Sequence, residues 1–378
     1  MSTLSPHRPS TGRPLVLRLD LALLLTTVVV AGIGVVIVYS STRSKLLLGG
    51  LSPHYYLNRQ AAYVVVGGMA MLALAAVDYK WLEHASAVLY VGIVLALLVM
   101  FSPIGSSALG ATRWIQLGPI QVQPSSFATP VLVVTVATFC ARRPEGLERR
   151  DLLRILALAA VPILLVVKQP DLASGIVMCI TLLAMLVVAG IPNRYLVLLL
   201  VTAVVGAFAV VHFGLLKSYE VNRLTSFLHP GKDLQGSNYN PHQSMAAIGS
   251  GGVWGKGLFH GPQTNLQYVP EQQTDFIFSA VGEQLGFVGS ASVILLLGIV
   301  SWRLLRAAQT SHDAFGRLLA VGSFTFIAFS AFENAGMSMG IMPVAGIPLP
   351  FLSYGGSATV AFFCAVGIAL SVQARHQR

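Results

Sequence analysis

Tyr268-Val-Pro-Glu-Gln-Gln-Thr-Asp275-Phe-Ile-Phe278 is where this chain changes character. Before it lies a polar stretch that begins at Lys217. After it an apolar helical pattern carries Gly282-Glu283 and Gly286-Phe-Val-Gly289. Apolar runs long enough to cross a membrane flank the whole region. The intervening loop, residues 214–275, reads as structureless. A loop of that length is uncommon as a mere connector and is usually functional. It also gathers polar chemistry that the rest of the chain avoids, so it is the expected active surface.

Composition fixes the class around this loop. The chain has 378 residues, 55% hydrophobic and 10% charged, whereas soluble domains carry about 25% charged residues. The expected fold class is an all-α, polytopic membrane protein. Residues 1–19 read as a basic cytoplasmic tail, 20–372 as one transmembrane domain that includes the loop, and 373–378 as a second cytoplasmic tail. The first apolar run lacks a small-residue cleavage site, so it reads as a retained span. The net charge of +10 fits cytoplasmic loops that face anionic lipid, and no nucleic-acid partner is expected. Cys140, Cys179 and Cys364 form no CxxC pair, which argues against a disulfide framework or a zinc site.

Ten spans are expected, at about 20–40, 60–77, 85–102, 124–141, 152–168, 171–190, 194–213, 276–302, 315–341 and 350–372. Charge and proline divide the runs at Lys168-Gln-Pro-Asp171 and at Gly190-Ile-Pro-Asn-Arg194. Lys and Arg placement, clearest at Arg142-Arg-Pro-Glu-Gly-Leu-Glu-Arg-Arg150, puts both termini inside the cell and the 214–275 loop outside. Every even-numbered span then starts on the outer side. Pro124, Pro170 and Pro350 fall in first turns, where a missing N–H costs nothing, and Thr274 is the expected N-cap of the eighth span. Helix starts carry partial positive charge and free N–H groups, so several on one face would attract an anion such as a diphosphate.

Particular residues then divide between structural and chemical readings. Asp275, one turn from Glu271, is either a helix-start residue held by the dipole or a general base toward a hydroxyl. Glu283 lies about 12 Å deeper at helical rise, and Glu333 sits beside Asn334. Ionised carboxylates within a membrane cost about 2.5–3.5 kcal/mol or more, so both acids should face the bundle interior. For both, a structural interhelix hydrogen bond is the commoner reading. Gly249-Ser-Gly-Gly252 with Gly255-Lys-Gly257 matches no nucleotide motif and reads as backbone able to approach a ligand. Gly282-x-x-x-Gly286 and Gly336-x-x-x-Gly340 read as close-packing patterns. Arg59, Arg113 and Lys168 are the outer cations outside the loop. Arginine suits bidentate phosphate contact, though single arginines more often snorkel at interfaces. Asp171 is placed to pair with Lys168. The histidines show no metal-ligand spacing.

Taken together, the motifs resemble the SEDS family (shape, elongation, division and sporulation). The pieces are Gly110-Ala-Thr-Arg-Trp-Ile-x-Leu-Gly118, Gln123-Pro-Ser125, Gln169-Pro-Asp-Leu172, Gln243-Ser-x-x-Ala-Ile-Gly-Ser-Gly-Gly252, Gly255-Lys-Gly257, Leu266-x-x-x-Pro-Glu-x-x-Thr-Asp-Phe-Ile-Phe278, Gly282-Glu283 and Met342-Pro-Val-x-Gly-Ile-Pro-Leu-Pro-Phe-Leu-Ser-Tyr-Gly-Gly-Ser357. They run through nearly all of the transmembrane chain. Glu333-Asn-x-Gly-Met337 with Ile347-Pro-Leu-Pro350 is more similar to the RodA-like elongation branch than to the FtsW-like division branch. The resemblance implies a peptidoglycan glycosyltransferase that polymerises lipid II at the outer face of the bacterial cytoplasmic membrane. Asp275 would deprotonate the acceptor hydroxyl. Arg59, Arg113, Lys256, Glu271, Gln123, Ser125, Lys168, Asp171, Glu283 and Ser353 would bind substrate. A divalent cation (Mg or Mn) would help carry leaving-group charge, with no organic cofactor. A class B penicillin-binding protein would be the partner.

Two rival readings stand beside this one. A lipid II flippase would need alternating access, and no internal repeat is evident between the halves. A non-enzymatic scaffold would only recruit the cross-linking partner. One departure from the family is plain: its usual Gln-Pro-Ser-Glu becomes Gln-Pro-Ser-Ser126 here. Because the family position accepts glutamate, Ser126→Glu is expected to leave expression and activity at parental levels. Loss of either, measured on purified protein, would show that the surroundings have diverged with the residue.

Overall fold

The computed structural model describes residues 19–102, 105–108, 111–117, 120–143, 147–212, 227, 236 and 238–376. The expected tail 1–18, most of the segment 213–237 and the last two residues lie outside the described set. The architecture is a helical bundle. Its elements are α1 (Leu21–Leu48), α2 (Tyr55–Ala76), α3 (Lys80–Val99), a three-stranded antiparallel sheet of β1 (Gly105–Ala108), β2 (Ala111–Leu117) and β3 (Ile120–Val122), then α4 (Pro124–Ala141), α5 (Arg149–Lys168), α6 (Leu172–Val188) and α7 (Asn193–His212). After these come α8 (Tyr239–Ser250), the single turn α9 (Pro262–Asn265), α10 (Ile277–Thr310), α11 (Ala314–Ser338) and α12 (Gly356–His376). Among the described residues ten helices correspond to the ten expected spans. Seven of them are long and apolar enough to cross a membrane, and α6 and the described part of α7 are apolar but shorter.

The all-α polytopic fold class holds, with one short sheet added to it. Three local expectations are corrected. The second half of the long loop is not structureless, because α8 and α9 fold within it. The last helix starts at Gly356, not at Pro350. Leu349, Phe351 and Leu352 are apolar because they are buried in the bundle as loop, so their hydrophobicity does not report a helix. Phe276, not Thr274, is the N-cap of α10, and the Thr274 hydroxyl donates to the Glu271 carbonyl at 3.0 Å.

Helix starts follow elementary capping. The Asp20 carboxylate accepts from Leu23 N at 3.1 Å, and Pro124 occupies the first turn of α4, where no N–H partner exists to lose. Asp20 also receives the Arg303 guanidinium at 2.5 Å, which fastens the start of α1 to the far end of α10. Packing divides into two apolar cores. One lies chiefly among α1, α2, α10 and α12, and the other among α3, α4, α5 and α6, with α11 contributing to both. Bulk cannot enter the α2–α12 seam: a Cβ on Gly367 would lie 2.6 Å from the Met71 carbonyl oxygen.

The glycine-rich segment serves this packing. Gly286 has φ +67 and breaks α10. The break frees backbone groups, and the 251–257 segment meets them: Lys256 N donates to Glu283 O at 3.0 Å, Gly257 N to Gln284 O at 3.0 Å, Phe287 N to Gly252 O at 2.9 Å and Val288 N to Val253 O at 3.1 Å. Gly251 and Gly255 lie directly against the broken helix, where a Cβ would meet the Gly282 and Gln284 carbonyl oxygens. Gly255, at φ +80, would place a Cβ 2.2 Å from Gln284 O, whereas Gly252, at φ +57, would meet nothing within 4 Å. Alanine at Gly252 should therefore cost only backbone strain, about 1–2 kcal/mol. Alanine at Gly255 should add about 1–3 kcal/mol of overpacking. Thermal unfolding of the two variants in detergent checks this ordering, and equal shifts would contradict it.

Candidate functional site

A polar cavity of about 840 Å3 opens at one end of the bundle. Tyr56 and Tyr63 enter it from α2, Gln123, Ser125 and Ser126 from the start of α4, and Pro170, Asp171 and Ser174 from the start of α6. Thr274 and Asp275 border it just before α10, and Gly355, Gly356 and Ser357 at the start of α12. Trp114 and Gln121 of the sheet, Ser330 of α11 and the Ala345–Pro348 loop complete the wall. Five helices therefore begin around one space. Their first-turn N–H groups and partial positive charge face a common region.

Asp171 is the most connected acid in it. The residue is buried, caps α6, and accepts from Ser125 Oγ at 2.8 Å, Gln123 Nε2 at 3.3 Å, Ser174 Oγ at 2.9 Å and Ser174 N at 3.3 Å. Gln123 N in turn donates to Ser357 Oγ at 2.8 Å. Gln123, Ser125 and Asp171, three residues of separate sequence motifs, form one network that ties α4, α6 and α12 together. The expected Lys168 pairing is replaced: Lys168 is exposed, with its ammonium 5.3 Å from the Phe101 ring centroid.

Asp275 is half-buried at the cavity wall. Its backbone is fixed from two sides. Asp275 N donates to Glu271 O at 3.1 Å, and Asn334 Nδ2 donates to both Asp275 O and Ile347 O at 2.7 Å. Asn334 is fully buried. One amide thus holds the acid-bearing segment against the loop that follows α11. Across the gap Gly346 carries no side chain, and a Cβ there would sit 3.3 Å from Asp275 Oδ2. Glu271 is exposed, faces the same cavity, and accepts from Gln273 Nε2 at 3.1 Å.

An aromatic group forms the α2 side. Tyr354 packs edge-on against Tyr56 with centroids 4.8 Å apart, and its ring lies 6.2 Å from that of Tyr63. Arg59 hydrogen-bonds the Tyr354 phenol and lies over the Tyr55 ring at 4.5 Å, so it touches the cavity through Tyr354. Burial and the neighbouring Tyr63 push the Tyr354 phenol up to about 12, against the pull of Arg59. The phenol is therefore neutral at pH 7.

The other candidates sit elsewhere. Arg113 lies on β2, with its side chain outside the described residues. Lys256 is exposed and meets α10 through its backbone. Glu283 is fully buried, and its carboxylate accepts from Gln263 N at 2.7 Å, Thr264 N at 2.9 Å and Thr264 Oγ1 at 2.5 Å. It caps α9 and so fastens the long loop to α10. Ser353 is buried, its Oγ accepts from Leu349 N at 2.8 Å, and its carbonyl accepts from Gln60 Nε2 at 3.2 Å. Among the described residues no three His, Cys, Asp or Glu side chains gather as a metal site. Sequence reasoning did not single out Asn334, Ser357 or Tyr354 for roles at the site. The available signal was an amide in an apolar span, because a buried polar group in such a helix must find a partner.

Comparison with known proteins agrees with this geometry. The FtsW/RodA/SpoVE family, described as "Cell cycle protein", matches residues 21–378. Stage V sporulation protein E of Bacillus subtilis is 34% identical over 356 residues, covering 93% of this chain and 96% of that protein. The peptidoglycan glycosyltransferase MrdB of Escherichia coli K12 is 35% identical over 318 residues, covering 84% of this chain and 85% of the other. Among solved structures, a chain of a peptidoglycan synthase complex that coordinates polymerization and crosslinking superposes with a TM-score of 0.78 at 26% identity, over 95% of this chain and 99% of that one. With a matching bundle, a family match along nearly its whole length and relatives above 30% identity, this chain belongs to the FtsW/RodA/SpoVE family, the SEDS proteins.

Proposed function

We propose that the protein is a peptidoglycan glycosyltransferase that polymerises lipid II at the outer face of the bacterial cytoplasmic membrane. Its relatives include proteins named for that transferase activity. The observation that carries the reading is the half-buried Asp275 carboxylate on the wall of a polar cavity ringed by five helix starts. In this reading Asp275 takes the proton of the acceptor's 4-hydroxyl. The oxygen forms a bond to the donor's anomeric carbon, the bond from that carbon to the diphosphate oxygen breaks, and the lipid diphosphate leaves with the electron pair. Positioned general bases contribute about 10²–10⁴-fold.

The leaving group carries the charge that must be stabilised. Helix N-termini at the cavity, with Arg59 and Arg113, are the proposed source. Asp171 already accepts four hydrogen bonds from the protein, so Glu271 and Asp275 are the cavity carboxylates that would hold a divalent cation together with the diphosphate oxygens, where it would supply charge to the leaving group.

The topology we propose has both termini in the cytoplasm and the cavity end outside, following the distribution of Lys and Arg. The proposed partner is a class B penicillin-binding protein, supported by the likeness to a chain of a synthase complex. The proposed role is elongation, supported by Glu333-Asn-x-Gly-Met337. Sporulation-named and MrdB relatives match almost equally well, at 34% and 35% identity, so overall identity favours neither branch.

Asp275→Asn is expected to abolish glycan formation from lipid II by purified protein, a loss of about 10²-fold or more, while thermal unfolding and partner binding stay parental. Strands made at the parental rate would remove Asp275 from the mechanism. Lipid II movement across a vesicle without polymer would favour the flippase. A second test concerns Asn334→Ala, which leaves the Asp275 and Ile347 carbonyls without their donor. It is expected to destabilise the fold by about 1–3 kcal/mol and to slow polymerisation. Unchanged activity would show that Asp275 holds its place without that amide.

A further inference from the structure

A second cavity, of about 260 Å3, shares Glu271 with the large one. Ser41 and Lys45 of α1 form one side, and Gln267, Gln272 and Gln273 form much of the other. Gln272 and Gln273 are buried, so their amides are held in place. Gln272 Nε2 donates to Ser279 Oγ at 2.9 Å, and Gln273 Nε2 orients Glu271. Lys45 is exposed and makes no ion pair with a described residue. Two non-glycine residues of this wall, Gln267 at φ +58 and Glu271 at φ +48, hold left-handed backbone. Such backbone costs about 1–3 kcal/mol per residue and persists where the surroundings enforce it.

The chemistry of this lining is specific. Amides and the Ser41 and Thr264 hydroxyls suit neutral, hydroxyl-rich groups, Val269 and Pro270 offer an apolar face to a sugar ring, and the Lys45 ammonium, across from Glu271, suits one carboxylate. The volume lies just below the roughly 300–1,000 Å3 of drug-sized ligand sites, which fits a single sugar ring. Placement matters as much as content, because Glu271 is a wall of both cavities and a glycan that reaches it from the Asp275 side lies beside this one. We propose that the smaller cavity is a second carbohydrate subsite, which holds the N-acetylated sugar next to the reacting pair while Lys45 pairs with a carboxylate of its peptide stem. This rests on the polymerase reading and extends it to how the strand is held.

Two measurements test it. The first needs no turnover. In the Asp275→Asn protein, acylation of Lys45 by an amine reagent is followed by mass spectrometry with and without a soluble peptidoglycan tetrasaccharide that carries its peptide stems. Lys80, exposed at the first residue of α3 and outside both cavities, is the reference. Acylation of Lys45 is expected to slow about threefold or more once the probe exceeds its dissociation constant, with Lys80 unaffected. Equal rates with and without probe, or equal slowing of both lysines, would overturn the proposal. In the second, Lys45→Glu in the otherwise parental protein should shorten the glycan strands by about twofold or more, and Lys45→Arg should restore their length. Strands of parental length from Lys45→Glu overturn the subsite. Absence of strands from the parental protein overturns the polymerase reading instead.

Discussion

A helix that begins inside a membrane protein leaves its first N–H groups without partners. Here five such beginnings meet around one cavity, and the rest of the structure answers to that requirement. Asp171 satisfies α6, Pro124 removes a donor from α4, and the Ser357 hydroxyl at the start of α12 takes an N–H from the residue before α4. The donors that remain give the space its anion-seeking character. Polar side chains accordingly gather at these helix starts, among them Gln123, Ser125, Asp171, Ser174 and Ser357.

The backbone that carries Asp275 is held by scaffolding from two sides. Asp275 lies between a capped turn and a loop, and one buried asparagine joins the two through their carbonyls. The long loop is anchored further back by Glu283, which caps α9 from within α10. The backbone ladder between residues 252–257 and the break at Gly286 adds a third attachment. These contacts fix the approach of the chain to Asp275 from both directions, and they set its carboxylate opposite Gly346 at the wall of the large cavity.

Much of this was legible in the residues. The spans announce themselves because apolar runs of that length have no other stable home, and proline and charge mark the breaks at Lys168–Asp171 and Gly190–Arg194. The meeting of helix starts followed from counting which spans begin on one side. The misreadings share a cause. Hydrophobicity reports burial, not helix, so Phe351 and Leu352 read as a span although they are loop in the core. Glycines report that something comes close, not what it is, so the mating of the 251–257 segment with a broken helix was not foreseen. α8 escaped notice because its packing is against protein and its apolar stretch is short. Lys256 and Glu283 belong to the motifs yet lie outside the large cavity, since a motif also records what holds a site in place.

The seam between α2 and α12 bears on how the chain is made. Met71 and Gly367 touch across nearly the full sequence, and Asp20 waits for Arg303 in the same way. During synthesis, the early helices therefore enter the bilayer without their final neighbours. The interior is assembled only when the last hydrophobic segments have left the ribosome. Until then α2 presents the Gly67 notch, which Phe363 later fills, to lipid alone. Loss of the final helix would thus do more than shorten the bundle, because it would leave an early one permanently unmatched.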